Sequence, residues 1–262
     1  MKKELVLYST SLILAATVCA VSSESITAES VNYSSFGQVG FVAGNEITPP
    51  VSPGPEEPGK PVSPVWPGGV TPPPGTAGPL SIDYASSFDF GINNISTQDK
   101  IYYAKSQKYA DSTLETPNYI QVTDNRGTTA GWTLKVREVA QFHQENAAAN
   151  HPVLEGAMLS LVNPKTVSLN EDTPPTAQEV LDLVPEKETV VATAEKGAGA
   201  GTWIIRWGSG LVAQDTLNQA EQHVKENFSK DVQLFVPGKT VKDAASYTTQ
   251  LNWILSELPQ NG

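Results

Sequence analysis

The sequence predicts an all-β protein: a two-sheet, β-sandwich-like domain with long loops, preceded by a Pro-rich linker and a short N-terminal strand. Two observations predict it. Apolar residues recur every second position in several segments, the period of a half-buried strand. Turn-forming clusters separate those segments, at Thr123–Gly127, at Asn163-Pro164 and at Pro237-Gly238.

The elements follow in order. Lys2 and Lys3 precede a mostly apolar stretch from Leu5 to Val21, and small residues come after it. That is the pattern of a secretory signal peptide, read over residues 1–28 with cleavage after Ala28 or Ala20. The polar Tyr8–Ser11 disfavours an uncleaved anchor, and bulky Val18 before Cys19 disfavours a lipoprotein site. Residues 29–47 form an N-terminal β segment around F-G-Q-V-G-F-V-A-G, Phe36 to Gly44. Residues 48–77 read as a linker: over 48–80, 12 of the 20 prolines and six glycines fill 18 of 33 positions. Proline lacks a donor and fixes φ, so this stretch should be an extended, mobile spacer. Trp66 is the residue in it able to anchor a partner.

Residues 78–262 are the folded domain. Trp132, Leu134 and Val136 share one strand face, and Trp203, Ile205 and Trp207 share another. Leu234 and Val236 alternate more weakly. In the last segment Tyr247, Leu251, Trp253 and Leu255 fall on one face, predicting a final strand from Tyr247 to Leu255 buried on its odd-numbered side. Val139–Ala149 and Ala177–Leu183 lack an apolar stripe and read as loops. Gln214–Phe228 is the one helix candidate, with good helix formers and a Thr216-x-x-Gln219 capping-box spacing.

Composition excludes several functions. Acidic residues number 28 against 17 basic ones, a net charge of -11, so the basic footprint of a nucleic-acid binder is absent. The single cysteine, Cys19, lies in the leader, which removes disulfide frameworks, thiol catalysis and thiolate metal sites from the mature chain. There is no His-Glu-x-x-His and no Gly-x-Ser-x-Gly. No metal site and no cofactor is expected, and no catalytic residue is assigned. Lys100, Lys105 and Lys108, interleaved with Tyr102, Tyr103 and Tyr109, are the one cationic cluster that could meet an anionic polymer, or else guard a strand edge.

Two motifs carry a resemblance. D-N-R-G-T-T-A-G-W-T-L-K-V runs from Asp124 to Val136, and Y-T-T-Q-L-N-W-I-L-S-E-L-P from Tyr247 to Pro259. Both contain Trp-x-Leu. G-P-L-S-I-D-Y-A-S-S-F-D-F-G from Gly78, A-E-K-G-A-G-A-G-T-W from Ala194 and V-P-G-K-T from Val236 add to them in consistent order. Together they resemble the WxL-domain family of cell-surface proteins of Gram-positive bacteria, and the domain over 78–262 is read as a WxL domain. Trp207 and Ile254 depart from the usual pattern.

The resemblance implies a secreted, non-enzymatic protein at the cell wall or cell surface, attached non-covalently with peptidoglycan as ligand. It also implies a membrane-anchored surface protein as partner. A role as interaction subunit of a surface complex and, more distantly, a cell-wall hydrolase are the alternatives. Trp132, Leu134, Tyr247, Leu251, Trp253, Leu255 and Trp203 are the motif and binding candidates. Tryptophan alternating with leucine favours core packing. An indole platform for sugar rings is the other reading. Trp132, beside Gly131 and a turn, is better placed to reach a ligand than mid-strand Trp253.

Overall fold

A computed structural model describes residues 30–54, 59–110, 112–146, 148–168 and 170–258. The signal peptide and its cleavage sites lie outside these residues. The chain separates into two units, Met1–Gly40 and Phe41–Gly262.

In the first unit the described residues form no strand. Val31, Tyr33, Phe36 and Val39 are all largely exposed, and so are Phe41 and Val42 at the start of the second unit. The expected N-terminal strand is therefore corrected: F-G-Q-V-G-F-V-A-G is β-like in composition, but no backbone ladder pairs it.

The second unit is all-β, with no α-helix among its described residues. Its strands begin with β1 (Pro64–Val65), β2 (Leu80–Ala85), β3 (Lys100–Lys105) and β4 (Gln107–Tyr109). β5 (Ser112–Thr116), β6 (Tyr119–Asp124), β7 (Trp132–Glu138) and β8 (Met158–Val162) follow. Next come β9 (Pro164–Val167), β10 (Thr176–Ala177), β11 (Val180–Asp182) and β12 (Glu188–Ala194). β13 (Gly201–Trp207), β14 (Val212–Leu217), β15 (His223–Val236) and β16 (Leu251–Glu257) complete the chain.

The two-sheet sandwich is not what these strands build. They divide among four small sheets set in a ring, a four-bladed, propeller-like layout. The orders are β1-β4-β5, β2-β6-β13-β9, β10-β12-β7-β16 and β11-β8-β15-β14, with β3 also on β15. The reason is visible in the β6 sheet, where every residue of β6 is buried. One face of β13, Trp203, Ile205 and Trp207, joins the main core with Trp132, Leu134 and Val136. Its other face gives Ile204 to a second cluster with Tyr84, Tyr109 and Tyr119. A sheet with both faces covered needs neighbours on both sides, which a pair of facing sheets cannot supply.

The two Trp-x-Leu segments are adjacent antiparallel strands. Leu255 of β16 lies opposite Leu134 of β7, and Trp253 opposite Val136. Arg126 ties their ends together. Its Nη2 meets Asp124 at 2.7 Å and its Nη1 meets Glu257 at 3.0 Å. Its Nη2 also donates to the Gly131 carbonyl at 2.9 Å. The glycine-rich segment closes over this sheet: Gly199 has φ of 76°, and a Cβ there would collide with the Trp132 indole.

Three local expectations change. The helix candidate is a hairpin, β14 paired with β15 through Thr216↔Val224 and Leu217↔His223. Asn218 Oδ1 accepts from the Ala220 and Gln222 amides at 2.9 Å each, closing the turn and overriding helix propensity. The segment 177–183 contributes strand residues to β10 and β11. The final strand begins at Leu251 rather than Tyr247, and its odd face is half-buried.

The Pro-rich stretch is not a free spacer along its described length. Gln121 Nε2 donates to the Pro49 carbonyl at 3.0 Å, and its Oε1 accepts from the Val51 amide at 2.8 Å. Gln107 Nε2 donates to the Val65 carbonyl at 2.8 Å, and Trp66 Nε1 to that of Ala85 at 3.2 Å. Proline gives up a donor but keeps its carbonyl, so side-chain amides on the sheets hold this extended chain together with the short β1–β4 ladder.

Candidate functional site

An open groove of about 1400 Å³ crosses the second unit. All four sheets, or the segments that adjoin them, contribute to it. Trp66 follows β1, Phe88 and Phe90 follow β2, and Tyr102 lies in β3. Phe142 stands after β7, Tyr247 before β16, and Trp253 within β16. Seven aromatic side chains thus line one opening. They rest on the core: Trp253 lies 5.9 Å from Trp207 and Phe88 6.0 Å from it, centroid to centroid, while Phe90 meets Phe142 edge-on at 6.2 Å. Asn93, Asn94, Gln219 and Gln250 supply amides at the rim. Aromatic faces beside amides suit a ligand with apolar faces and hydroxyl or amide edges.

The lysine cluster is not a free basic patch. Lys105 Nζ lies 2.7 Å from Glu226 and 3.2 Å from Asp89, and Lys108 Nζ lies 3.4 Å from Glu226. Burial alone would lower the Lys105 pKa; the Glu226 hydrogen bond and the Asp89 charge outweigh it and raise the pKa instead. For Glu226, too, burial opposes the ionised form, but the two lysines hold its pKa below the ordinary glutamate value. Lys242 donates to the Ser96 carbonyl at 3.0 Å.

A hydrogen-bonded clasp fixes the loop that carries Tyr247. His151 Nδ1 and Asp243 Oδ1 are 2.8 Å apart, and the His151 amide and Gln144 Nε2 both donate to Asp243 Oδ2. The Tyr247 hydroxyl donates to the His151 carbonyl at 2.7 Å and accepts from the Asp243 amide at 2.9 Å. The His151 hydrogen bond holds the Asp243 carboxyl below its usual pKa.

The sequence candidates divide. Tyr247, Leu251 and Trp253 line the groove. Trp132, Leu134 and Trp203 are buried in the main core, and Leu255 is half-buried against it. The order suggested for the two motif tryptophans is reversed: Trp132 is 0% exposed, with Nε1 bonded to the Gly199 carbonyl, whereas Trp253 reaches the groove. Phe88, Phe90 and Phe142 were not singled out as site residues. The signal for two of them was the F-D-F spacing in 88–90, where Phe88 and Phe90 can share a side.

A family model described as WxL domain, surface cell wall-binding, matches residues 28–259 of the chain. No curated protein and no solved structure matches it.

Proposed function

The chain belongs to the WxL family of cell-wall-binding surface domains, and from that premise we propose that it attaches non-covalently to peptidoglycan through the aromatic groove. Its place is the cell surface. The observation that carries the reading is the convergence of seven aromatic side chains on one open groove, where Lys105 is already paired with Asp89 and Glu226. A groove of that kind favours stacking on sugar rings over attraction to a polyanion, and a chain of net charge -11 gains nothing from long-range steering toward acidic polymers. No catalytic role is assigned to any residue.

A sedimentation assay with purified peptidoglycan tests this. Wild type pellets with the walls. Trp253→Ala weakens retention about tenfold, as expected for loss of one well-packed aromatic anchor, while its melt falls less than that of a core tryptophan mutant. Unchanged retention in a folded Trp253→Ala protein would remove the groove from the reading. Retention should also change little between about 0.1 M and 1 M salt, since screening acts on charge and not on stacking. Release at moderate salt would point to an ionic mode.

A second reading, an interaction subunit that holds a membrane-anchored partner, draws on the bare apolar residues Val31, Tyr33, Phe36 and Val39 of the first unit. Large apolar side chains left exposed so close together in sequence are candidates for contact with another protein. Changing these residues to serine should abolish co-purification of the membrane-anchored protein and leave wall retention intact.

A further inference from the structure

The β6 sheet turns one face of β13 away from the tryptophan core, and that face carries an unusual pairing. Ile204 and Arg206 point the same way, as alternate residues of a strand do. Across the ladder to β9, Ile204 stands opposite Val167 and Arg206 opposite Lys165. Two cations therefore lie side by side on one face. On its other flank Arg206 faces Tyr119 of β6, which brings no negative charge.

Arg206 is 8% exposed, and its Nε is sealed from solvent with no partner. Among the described residues neither Arg206 nor Lys165 has an acceptor or an ion pair. Burial lowers the Arg206 pKa, yet an arginine remains charged at any ordinary pH. A guanidinium with its Nε sealed from water and no counter-ion beside it is a costly arrangement. Its cost is relieved when an anion occupies the fork, which matches carboxylate and phosphate geometry with two parallel hydrogen bonds.

The neighbouring residue pair supplies room for the rest of a ligand. Ile204 and Val167, one step along the same face, line a cleft of about 170 Å³ together with Ser168, Thr202 and Val51. Val51 and Gly59, also in its lining, come from the folded-back Pro-rich stretch. The cleft combines an apolar floor with two hydroxyl side chains and adjoins the cations.

We infer that Lys165 and Arg206 form a binding site for an oxyanion, with the small apolar substituent of the ligand seated in the Ile204–Val167 cleft. The site is distinct from the aromatic groove, which neither cation lines. It would let the protein grip a charged end or branch of a polymer whose neutral portion lies elsewhere. Carboxylate and phosphate share the chemistry that the fork recognises.

Titration of the full folded chain, followed by amide chemical shifts, tests it with N-acetylalanine and glycerol phosphate as separate probes. Saturable binding of at least one probe is expected, with a dissociation constant below about 20 mM and shifts centred on β9 and β13. Binding of N-acetylalanine alone assigns the site to carboxylate ends, and binding of glycerol phosphate alone assigns it to phosphate-bearing polymers. Lys165→Met, at an exposed position, should weaken binding at least fivefold with an unchanged melt. Arg206→Gln should abolish it, and if that variant does not fold, Lys165→Met and Lys165→Glu decide. Absence of saturation with both probes, or wild-type affinity in folded Lys165→Met and Lys165→Glu proteins, overturns the proposal.

Discussion

Trp132→Ala is expected to lower stability by about 3–5 kcal/mol, the cost of a large cavity in a packed core, and so to unfold a domain of ordinary stability. Trp132 is fully buried and sits at the start of β7, directly opposite Ala194 of β12 and Glu257 of β16. Its indole is covered by Gly199, whose carbonyl accepts the Nε1 proton at 3.0 Å. Gly199 and Ala194 have almost no side chain with which to fill the space left behind, so the cavity would persist. Trp132→Phe keeps much of the volume but leaves the Gly199 carbonyl without its donor, and should cost about 1–3 kcal/mol. Thermal melts of the two variants beside Trp253→Ala check the ranking. A Trp132→Ala melt within a few degrees of wild type would show that the indole is not packed as described.

That ranking turns on a local reading of sequence that the three-dimensional arrangement reverses. Gly131 and the Asp124–Gly127 turn suggested a tryptophan at a loop edge, free to reach outward. Gly131 has φ of 82°, and a side chain on it would strike the Ala194 carbonyl. The glycine is there so that β7 can pass close beneath the neighbouring strand, which drives Trp132 inward. The indole's cover comes from Gly199, 67 residues away, and no local pattern announces such a contact.

Strand periods were readable where one face is buried and the other is not. In β7 the alternation of Trp132, Leu134 and Val136 with Thr133, Lys135 and Arg137 matches the burial pattern residue by residue. In β13 it was readable only on one side. Ile204 and Arg206 alternate with the tryptophan face, and both are buried as well, because their face meets a second cluster built around Tyr84, Tyr109 and Tyr119. Number and packing of sheets depend on such doubly covered strands, and a second face that holds Thr202 and Arg206 beside a single Ile204 hides one. The sandwich expectation failed for this reason.

The groove was less legible still. Trp253 and Tyr247 belong to one motif and Phe88 to the segment from Gly78, but Trp66 and Tyr102 lie outside both, and only the ring of sheets brings them to one opening. Trp66 lay in a stretch read as spacer. What could not be read was that Gln107 and Gln121, two amides on strands, would hold the carbonyls of that stretch and deliver the indole to the groove rim. In the 214–228 segment the useful signal was Asn218, a residue that closes turns through its own side chain, and it was outweighed by helix formers on either side.

Stability should decline as pH rises from about 5 to 8, and Glu138→Gln should remove the decline. Glu138 ends β7 opposite Leu251 of β16 and is 1% exposed. Both of its carboxyl oxygens are sealed without a partner. Burial pushes its pKa up to about 7 from the usual 4.5. The unfolded chain ionises this group near its ordinary value, while the folded chain keeps the proton. Below the unfolded value both states are protonated and the full stability is present. As pH rises, the unfolded state loses its proton first, so stability falls until the folded group ionises too, near 7. The difference in pKa corresponds to about 3 kcal/mol across that window. Asp243 acts in the opposite sense and at lower pH: its lowered pKa adds stability above the ordinary aspartate range, and acid removes it. Melts at half-unit pH steps separate the two. Glu138→Gln carries a neutral amide of the same shape at all pH values, so its melt should be level from pH 5 to 8 and higher than wild type at pH 8. Leu251 lines the groove beside Trp253, so the proton on Glu138 also steadies the strand that presents the binding tryptophan. A wild-type profile that is level across this range, or a Glu138→Gln profile with the wild-type slope, would show that the carboxyl finds a partner or water that offsets its burial.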